Sequence, residues 1–231
     1  MQQPPREAEE LFGSALSHVE RYAELLSSVG VDRGLIGPRE VPRLWERHLM
    51  NCGVVTELVP ERAELVDVGS GAGLPGVVLG IMRPDIVVTL IEPLLRRSVF
   101  LRECREELQL DNVTVVRGRA EELAGQYSVD VVTARAVAPL PRLAGWALPL
   151  LRPGGQLLAL KGAQAEAELE SARNDLLGQR ASSAEVIRVG NGKVDPATTV
   201  VRVTADSRVG ESRTSTGRRG SGGGRKRGRK R

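Results

Sequence analysis

The densest chemistry in this chain sits in nine residues, Val68-Gly69-Ser70-Gly71-Ala72-Gly73-Leu74-Pro75-Gly76. Leu65-Val66-Asp67-Val68 reads as a buried strand running straight into these glycines, and a helical pattern follows. Glycines at a strand-to-helix turn let the backbone reverse sharply and let a ligand approach the main chain, while the helix start offers free N–H donors. Gly71, Gly73 and Gly76 also satisfy G-x-G-x-x-G, so the turn alone indicates a nucleotide-like ligand and leaves NAD in contention.

Three features move the reading towards S-adenosylmethionine. Glu92 ends the second strand, 23 residues after Gly69, where a carboxylate can accept from both ribose hydroxyls of either cofactor. The third strand leads into Arg119-Ala120-Glu121-Glu122, an acidic turn suited to an adenine edge. The length leaves no room for the second domain a dehydrogenase normally carries. Arg96, Arg97, Arg119 and Lys161 fall beyond the carboxyl ends of strands, the ligand edge of an open α/β sheet, and could hold RNA phosphates. Arg96 and Arg97 could equally be a solvated helix start. Arg135 reads either as a strand-end partner of Asp130 or as a contact to the cofactor carboxylate or a base. His48 and Trp45 read as packing residues. Cys52 and Cys104 form no CxxC pair and no zinc pattern, so both are expected as buried free thiols and no metal is expected.

The elements that must position these residues alternate. Strands are predicted at 64–68, 86–92, 112–117, 129–134 and 156–161, with helices at 73–82, 94–108, 120–124 and 140–151 between them. Such alternation means a mostly parallel sheet covered on both faces. Strands at 184–189 and 198–203, joined through Asn191-Gly192, predict a terminal antiparallel hairpin. Apolar residues at helical spacing over 7–29 and a second helical region after Pro38 form an N-terminal extension. The domain plan is thus an extension over 1–60, a core over 61–205 and a disordered basic tail over 206–231. Residues 208–231 carry ten Arg or Lys and one acid, a net +9, so a chain of net +4 has a body of −5. Nucleic-acid binding therefore needs a local patch rather than the overall charge. The tail could raise RNA affinity without sequence preference, or serve only solubility. The N-terminus lacks a signal pattern and no apolar run reaches membrane length, so a cytoplasmic protein is expected. With aromatics at 3%, a base-stacking surface is not expected.

The stretch from Val66 to Leu79, Leu90-Ile91-Glu92, Arg96-Arg97-Ser98-Val99-Phe100-Leu101, Arg135-Ala136 and Leu160-Lys161-Gly162, with Arg47-His48-Leu49 upstream, closely resembles the ribosomal RNA small subunit methyltransferase G family. The resemblance covers about 7–204 and is strongest over 64–163. It implies a class I methyltransferase (Rossmann-like) α/β fold with a seven-stranded sheet. It also implies methyl transfer from S-adenosylmethionine to N7 of a guanine in the 530 loop of bacterial 16S rRNA; a monomer is expected, with 16S rRNA or the small ribosomal subunit as partner. By position it puts cofactor contacts at Gly69, Leu74, Ala120, Glu121 and Arg135, beside the Gly71, Gly73 and Glu92 nominated above. The chain departs from the family at Asn51, where an Asp is usual, and in its basic tail. The residues agree with N7 chemistry. Strand four ends in Thr133-Ala134-Arg135-Ala136 rather than an Asn/Asp-Pro-Pro-aromatic run that positions exocyclic amines, and neither cysteine follows a proline as a pyrimidine-C5 nucleophile would. Guanine N7 already carries a lone pair, so no general base is expected. Rival readings are a methyltransferase acting on a small molecule or protein, an NAD-binding regulator, and a non-catalytic RNA-binding protein.

Overall fold

Sheet strands form where Val, Ile and Leu run without interruption, and in this protein both faces of those strands are covered. The computed structural model describes residues 3–207. Its strands are β1 Glu64–Val68, β2 Val87–Ile91, β3 Val113–Val116, β4 Val129–Arg135, β5 Leu151–Lys161, β6 Ala181–Val189 and β7 Thr198–Ala205. They form one sheet in the order β3-β2-β1-β4-β5-β7-β6. Strands β1 to β5 are parallel, and β7 runs antiparallel between β5 and β6. The chain leaves β1 towards β2 and β3, then returns to place β4 on β1's other side. That reversal opens a crevice at the carboxyl ends of β1 and β4, where ligands bind in open α/β sheets.

Alternate strand residues supply two cores, as a period-2 side-chain pattern requires. Leu65, Val88, Leu90, Val131, Leu158 and Val200 face one side. Helices α1 Arg6–Phe12, α2 Leu16–Leu25, α3 Met50–Gly53, α4 Gly76–Met82 and α5 Leu95–Glu107 contribute to that side's core. Val66, Val68, Val132, Leu157, Ala159 and Val201 face the other side, together with α6 Leu140–Ala147 and α7 Ala165–Gly178. The N-terminal extension thus shares a core with the sheet; Trp45 is buried and meets Phe12 edge-on at 6.2 Å.

The differences from the sequence reading are local. The helix expected over 7–29 breaks at Gly13, whose φ is +49°, and continues as α2. The helix expected over 140–151 yields near Pro149, and β5 begins at Leu151 rather than 156. Helix α7 was not anticipated. Its buried positions are Ala165, Leu169, Ala172 and Leu176, a stripe at helical spacing in which two members are alanines too small to stand out. Among the described residues, no helix is long and apolar enough to cross a membrane. The tail expected over 206–231 lies outside the described residues from 208 onward, while the Asp206 N–H donates to the Arg180 carbonyl at 2.7 Å.

Candidate active site

Strand β1 delivers the glycine turn to the crevice. The N–H groups of Gly69 and Ser70 both donate to the Ile91 carbonyl, at 2.8 and 3.1 Å, bending the turn against the end of β2. Gly69 and Gly71 have φ of +64° and +60°, where side chains are disfavoured. Their surroundings differ. A Cβ on Gly69 would stand 3.0 Å from both Val137 methyls, whereas one on Gly71 would meet nothing nearer than the Gly69 carbonyl oxygen at 3.8 Å. Gly73 is closed from behind, since a Cβ there would lie 2.5 Å from Val77 Cγ2 and 2.6 Å from the Tyr22 hydroxyl. That hydroxyl donates to the Ala72 carbonyl at 2.6 Å, so helix α2 clasps the turn. Gly71 therefore leaves the main chain open to a ligand, and Gly73 serves close packing.

Glu92 is buried immediately after β2. Its two carboxylate oxygens accept from the N–H groups of Gly71 and Leu94, each at 2.9 Å, which ties the turn to the start of α5. A carboxylate oxygen has room for a second donor, so acceptor capacity for two hydroxyls remains. Under the turn, buried Asp67 accepts from the Thr133 hydroxyl at 2.7 Å. Burial pushes its carboxyl up to about 6, against hydrogen bonds from Thr133 and its neighbours that favour the charged form.

Strand β4 delivers Arg135, and Ala136 follows in the left-handed region at φ +54°, turning the chain so that Val137 covers Gly69. Arg135 does not pair with Asp130, which instead meets Arg152. Its Nη1 donates to His48 Nδ1 at 2.9 Å, and His48 Nε2 lies 2.9 Å from Glu40 Oε2. Burial lowers the His48 imidazole below its ordinary 6.5, Arg135 adds to this, and Glu40 pulls the other way. Asn51 accepts from the Thr198 hydroxyl at 2.9 Å and donates to the Arg47 carbonyl at 3.1 Å, linking the extension to β7.

These elements enclose a cleft of about 850 Å³. Gly69, Gly71, Leu74, Glu92, Arg97, Arg135 and Lys161 line it, together with Arg47, His48, Asn51 and Leu94. Gly73, Ala120, Glu121, Arg96 and Arg119 do not line it. Ala120 is buried in the core under the sheet's second face. Lys161 reaches the cleft wall but is spent internally, donating to Glu168 at 2.8 Å and to the Ala138 carbonyl at 3.2 Å. Arg119 lies 3.8 and 3.9 Å from Glu121 and Glu122, and Arg97 lies 4.0 Å from Glu92. The Glu40–His48–Arg135 chain escaped the sequence reading, because nothing in the spacing of 40, 48 and 135 announces contact. The thiols are buried, and burial pushes Cys52 to about 11 and Cys104 to about 12, which keeps both protonated at neutral pH.

The space fits S-adenosylmethionine. Gly71 opens bare main chain onto the cleft, Glu92 can accept hydroxyls at its edge, and Arg135 offers a cation for a carboxylate. Comparison with solved structures agrees at the level of fold. The chain resembles a SAM-dependent O-methyltransferase from Thermotoga maritima with a TM-score of 0.54 and 16% identity, over 70% of this chain and 66% of that one. It also resembles M. jannaschii TYW2 in complex with AdoMet, with a TM-score of 0.53 and 15% identity, over 71% and 78%. Sequence relatives are much nearer. The ribosomal RNA small subunit methyltransferase G of Thermobifida fusca is 66% identical over 99% of this chain and 98% of its own length. The protein of that name from Mycolicibacterium gilvum is 52% identical over 94% and 96%. The family model described as rRNA small subunit methyltransferase G matches residues 15–194. The chain belongs to the rRNA small subunit methyltransferase G family, whose cofactor is S-adenosylmethionine.

Proposed function

We propose that this cleft binds S-adenosylmethionine against the glycine turn and that the chain transfers its methyl group to N7 of a guanine in the 530 loop of 16S rRNA. The observation that carries this reading is the convergence of Gly71, Glu92 and Arg135 on one cleft at the reversal point of the sheet, in a chain of this family. Gly69, Gly71 and Leu74 would shape the main-chain bed, Glu92 would take the ribose hydroxyls, and Arg135 would orient the cofactor carboxylate. Gly73, with Tyr22 behind it, holds the turn in shape. Ala120 and Glu121, after β3, would border the adenine from outside the cleft proper. The bound cofactor supplies an electrophilic methyl on a sulfonium, which N7 takes while the bond electrons return to sulfur.

The residues suit an acceptor that needs no deprotonation. Glu92 and His48 face the cleft, yet the remaining acceptor capacity of the first would go to the ribose hydroxyls and both ring nitrogens of the second already have partners. Catalysis then rests on holding the reacting atoms at about 3–3.5 Å in line. For the RNA, Arg96 and Arg97 at the start of α5 would meet phosphates beside the cleft, with Arg119 further out and Lys161 bracing the wall. We take residues 1–60 as an extension to a core of 61–205. We also place the reaction in the cytoplasm, where small-subunit rRNA is found, and assign it to a monomer because one chain brings every cleft residue together. The test is incubation with methyl-labelled S-adenosylmethionine and 16S rRNA or small subunits, followed by cleavage specific for N7-methylguanine. Label confined to one guanine of the 530 loop is expected; label elsewhere, or none on either substrate, refutes the assignment.

A further inference from the structure

Arginine cannot accept a hydrogen bond, so the 2.9 Å contact between Arg135 Nη1 and His48 Nδ1 requires a lone pair on Nδ1. Glu40, held low chiefly by its hydrogen bond to His48, is a carboxylate and can only accept, so Nε2 carries the proton. The two contacts together demand one form of the ring: the neutral Nε2–H tautomer. We propose that His48, fixed in this form by Glu40, is the positioning residue for Arg135, and that protonating it breaks the Arg135 contact and loosens the cofactor cleft. This rests on the reading that Arg135 orients the cofactor.

The charged groups facing the imidazole are Glu40 from the turn before it, Arg47 on its own segment and Arg135 from β4. Two of the three are cations, and an imidazolium would set an N–H donor against the guanidinium donor of Arg135. Only Glu40 favours the charged ring, and its side chain is about a third exposed. The arrangement carries a direction: Arg135 is held above the His48 titration and released below it. Because Arg135 lies on a cleft wall also formed by Gly69 and Val137, losing its anchor would free a cation next to the glycine turn.

The chain has two histidines, exposed His18 and His48, so nitrogen NMR of 15N-histidine-labelled protein resolves both without crowding. His48 is expected as the Nε2–H tautomer at pH 7.5, titrating below 6.5, with the S-adenosylmethionine dissociation constant rising over the same interval. His48→Asn keeps an acceptor oxygen where Nδ1 stands, and should remove this pH dependence while recovering most of the binding. His48→Ala should lose ~10- to 100-fold in kcat/KM, the scale of a misplaced orienting group. Glu40→Gln should move the His48 titration to lower pH, since Glu40 raises it. The proposal is overturned by an Nδ1–H tautomer, by an unchanged acid limb in His48→Asn, or by wild-type behaviour of His48→Ala. Wild-type protein that shows this binding profile but methylates no guanine would overturn the substrate assignment and leave the relay standing.

Discussion

Two glycines two positions apart in the same turn should fail in opposite ways when replaced by alanine. Gly71→Ala forces a side chain to φ +60°, which costs roughly 1–2 kcal/mol by the left-handed penalty alone. No steric term adds to it, because the new Cβ meets nothing closer than 3.8 Å. For a chain of this size that is a loss of roughly 2–8 °C in Tm. The methyl would instead occupy the cleft where the main chain is bare, so S-adenosylmethionine binding should weaken at least about tenfold, or about 1.4 kcal/mol. Gly73→Ala adds to its own φ of +101° a Cβ at 2.5 Å from Val77 and 2.6 Å from the Tyr22 hydroxyl. Overpacking of that kind costs roughly 1–3 kcal/mol beyond the backbone strain. Moving Tyr22 would also break its bond to Ala72, worth about 1 kcal/mol more. The summed cost of about 3–6 kcal/mol approaches the whole stability of an ordinary domain. Thermal denaturation with calorimetric titration of S-adenosylmethionine separates the outcomes. A Gly73→Ala protein of native Tm with weakened binding, or a Gly71→Ala protein that binds normally, would refute the division of labour drawn from the turn's geometry.

Each carboxylate oxygen of Glu92 accepts a main-chain N–H, and glutamine has only one such oxygen: Glu92→Gln must turn an NH2 towards the Gly71 or Leu94 N–H. It should cost about 2 kcal/mol in urea denaturation and weaken cofactor binding; an unchanged midpoint would show that the two 2.9 Å bonds carry little. Asp67 titrates near 6 in the fold against 3.8 ordinarily, so the native state binds its proton more tightly. Its contribution to stability is therefore full below about pH 4 and is lost as pH rises through 6, by about 3 kcal/mol in all. The stability of Asp67→Asn relative to wild type should accordingly rise between pH 4 and pH 7.5, and a flat difference would refute the raised carboxyl at this position.

The fold was legible because its signals are local and repeated. Each parallel strand is a short apolar run, each is followed by turn residues, and Gly13, Pro38 and Pro149 mark where helical segments stop or change. Helix α7 was not legible, since burying Ala165 and Ala172 against a sheet requires close approach that composition does not advertise. On the cofactor side, the turn and Glu92 were readable for the same reason as the strands: they lie within 24 residues and their roles are fixed by strand ends. His48 reads from the sequence as a packing residue; in the fold it is hydrogen-bonded to partners at positions 40 and 135, which only folding brings together.

Cations show where sequence reasoning meets its physical boundary. Sequence spacing put Arg96, Arg97, Arg119 and Lys161 at the ligand edge of the sheet, and in that it used only strand direction. Whether a cation there can meet a phosphate depends on which carboxylate the fold turns towards it, and that depends on the conformation of the neighbouring segment. Lys161 finds Glu168 from α7, the one helix that was not foreseen, so its commitment could not be foreseen either. Its ammonium also holds the Ala138 carbonyl, and Glu168 accepts from the Leu140 N–H at 2.7 Å. That makes the pair a brace for the segment between Arg135 and α6. A brace is a different contribution from a phosphate contact, and the two have different salt dependences: displacing counterions from RNA makes binding fall steeply with salt, whereas a part-buried pair is screened far less. Replacing Lys161 should therefore weaken turnover without flattening the salt slope of RNA binding, while replacing Arg96, exposed at the start of α5, should flatten the slope by about one counterion and leave the unfolding midpoint in place.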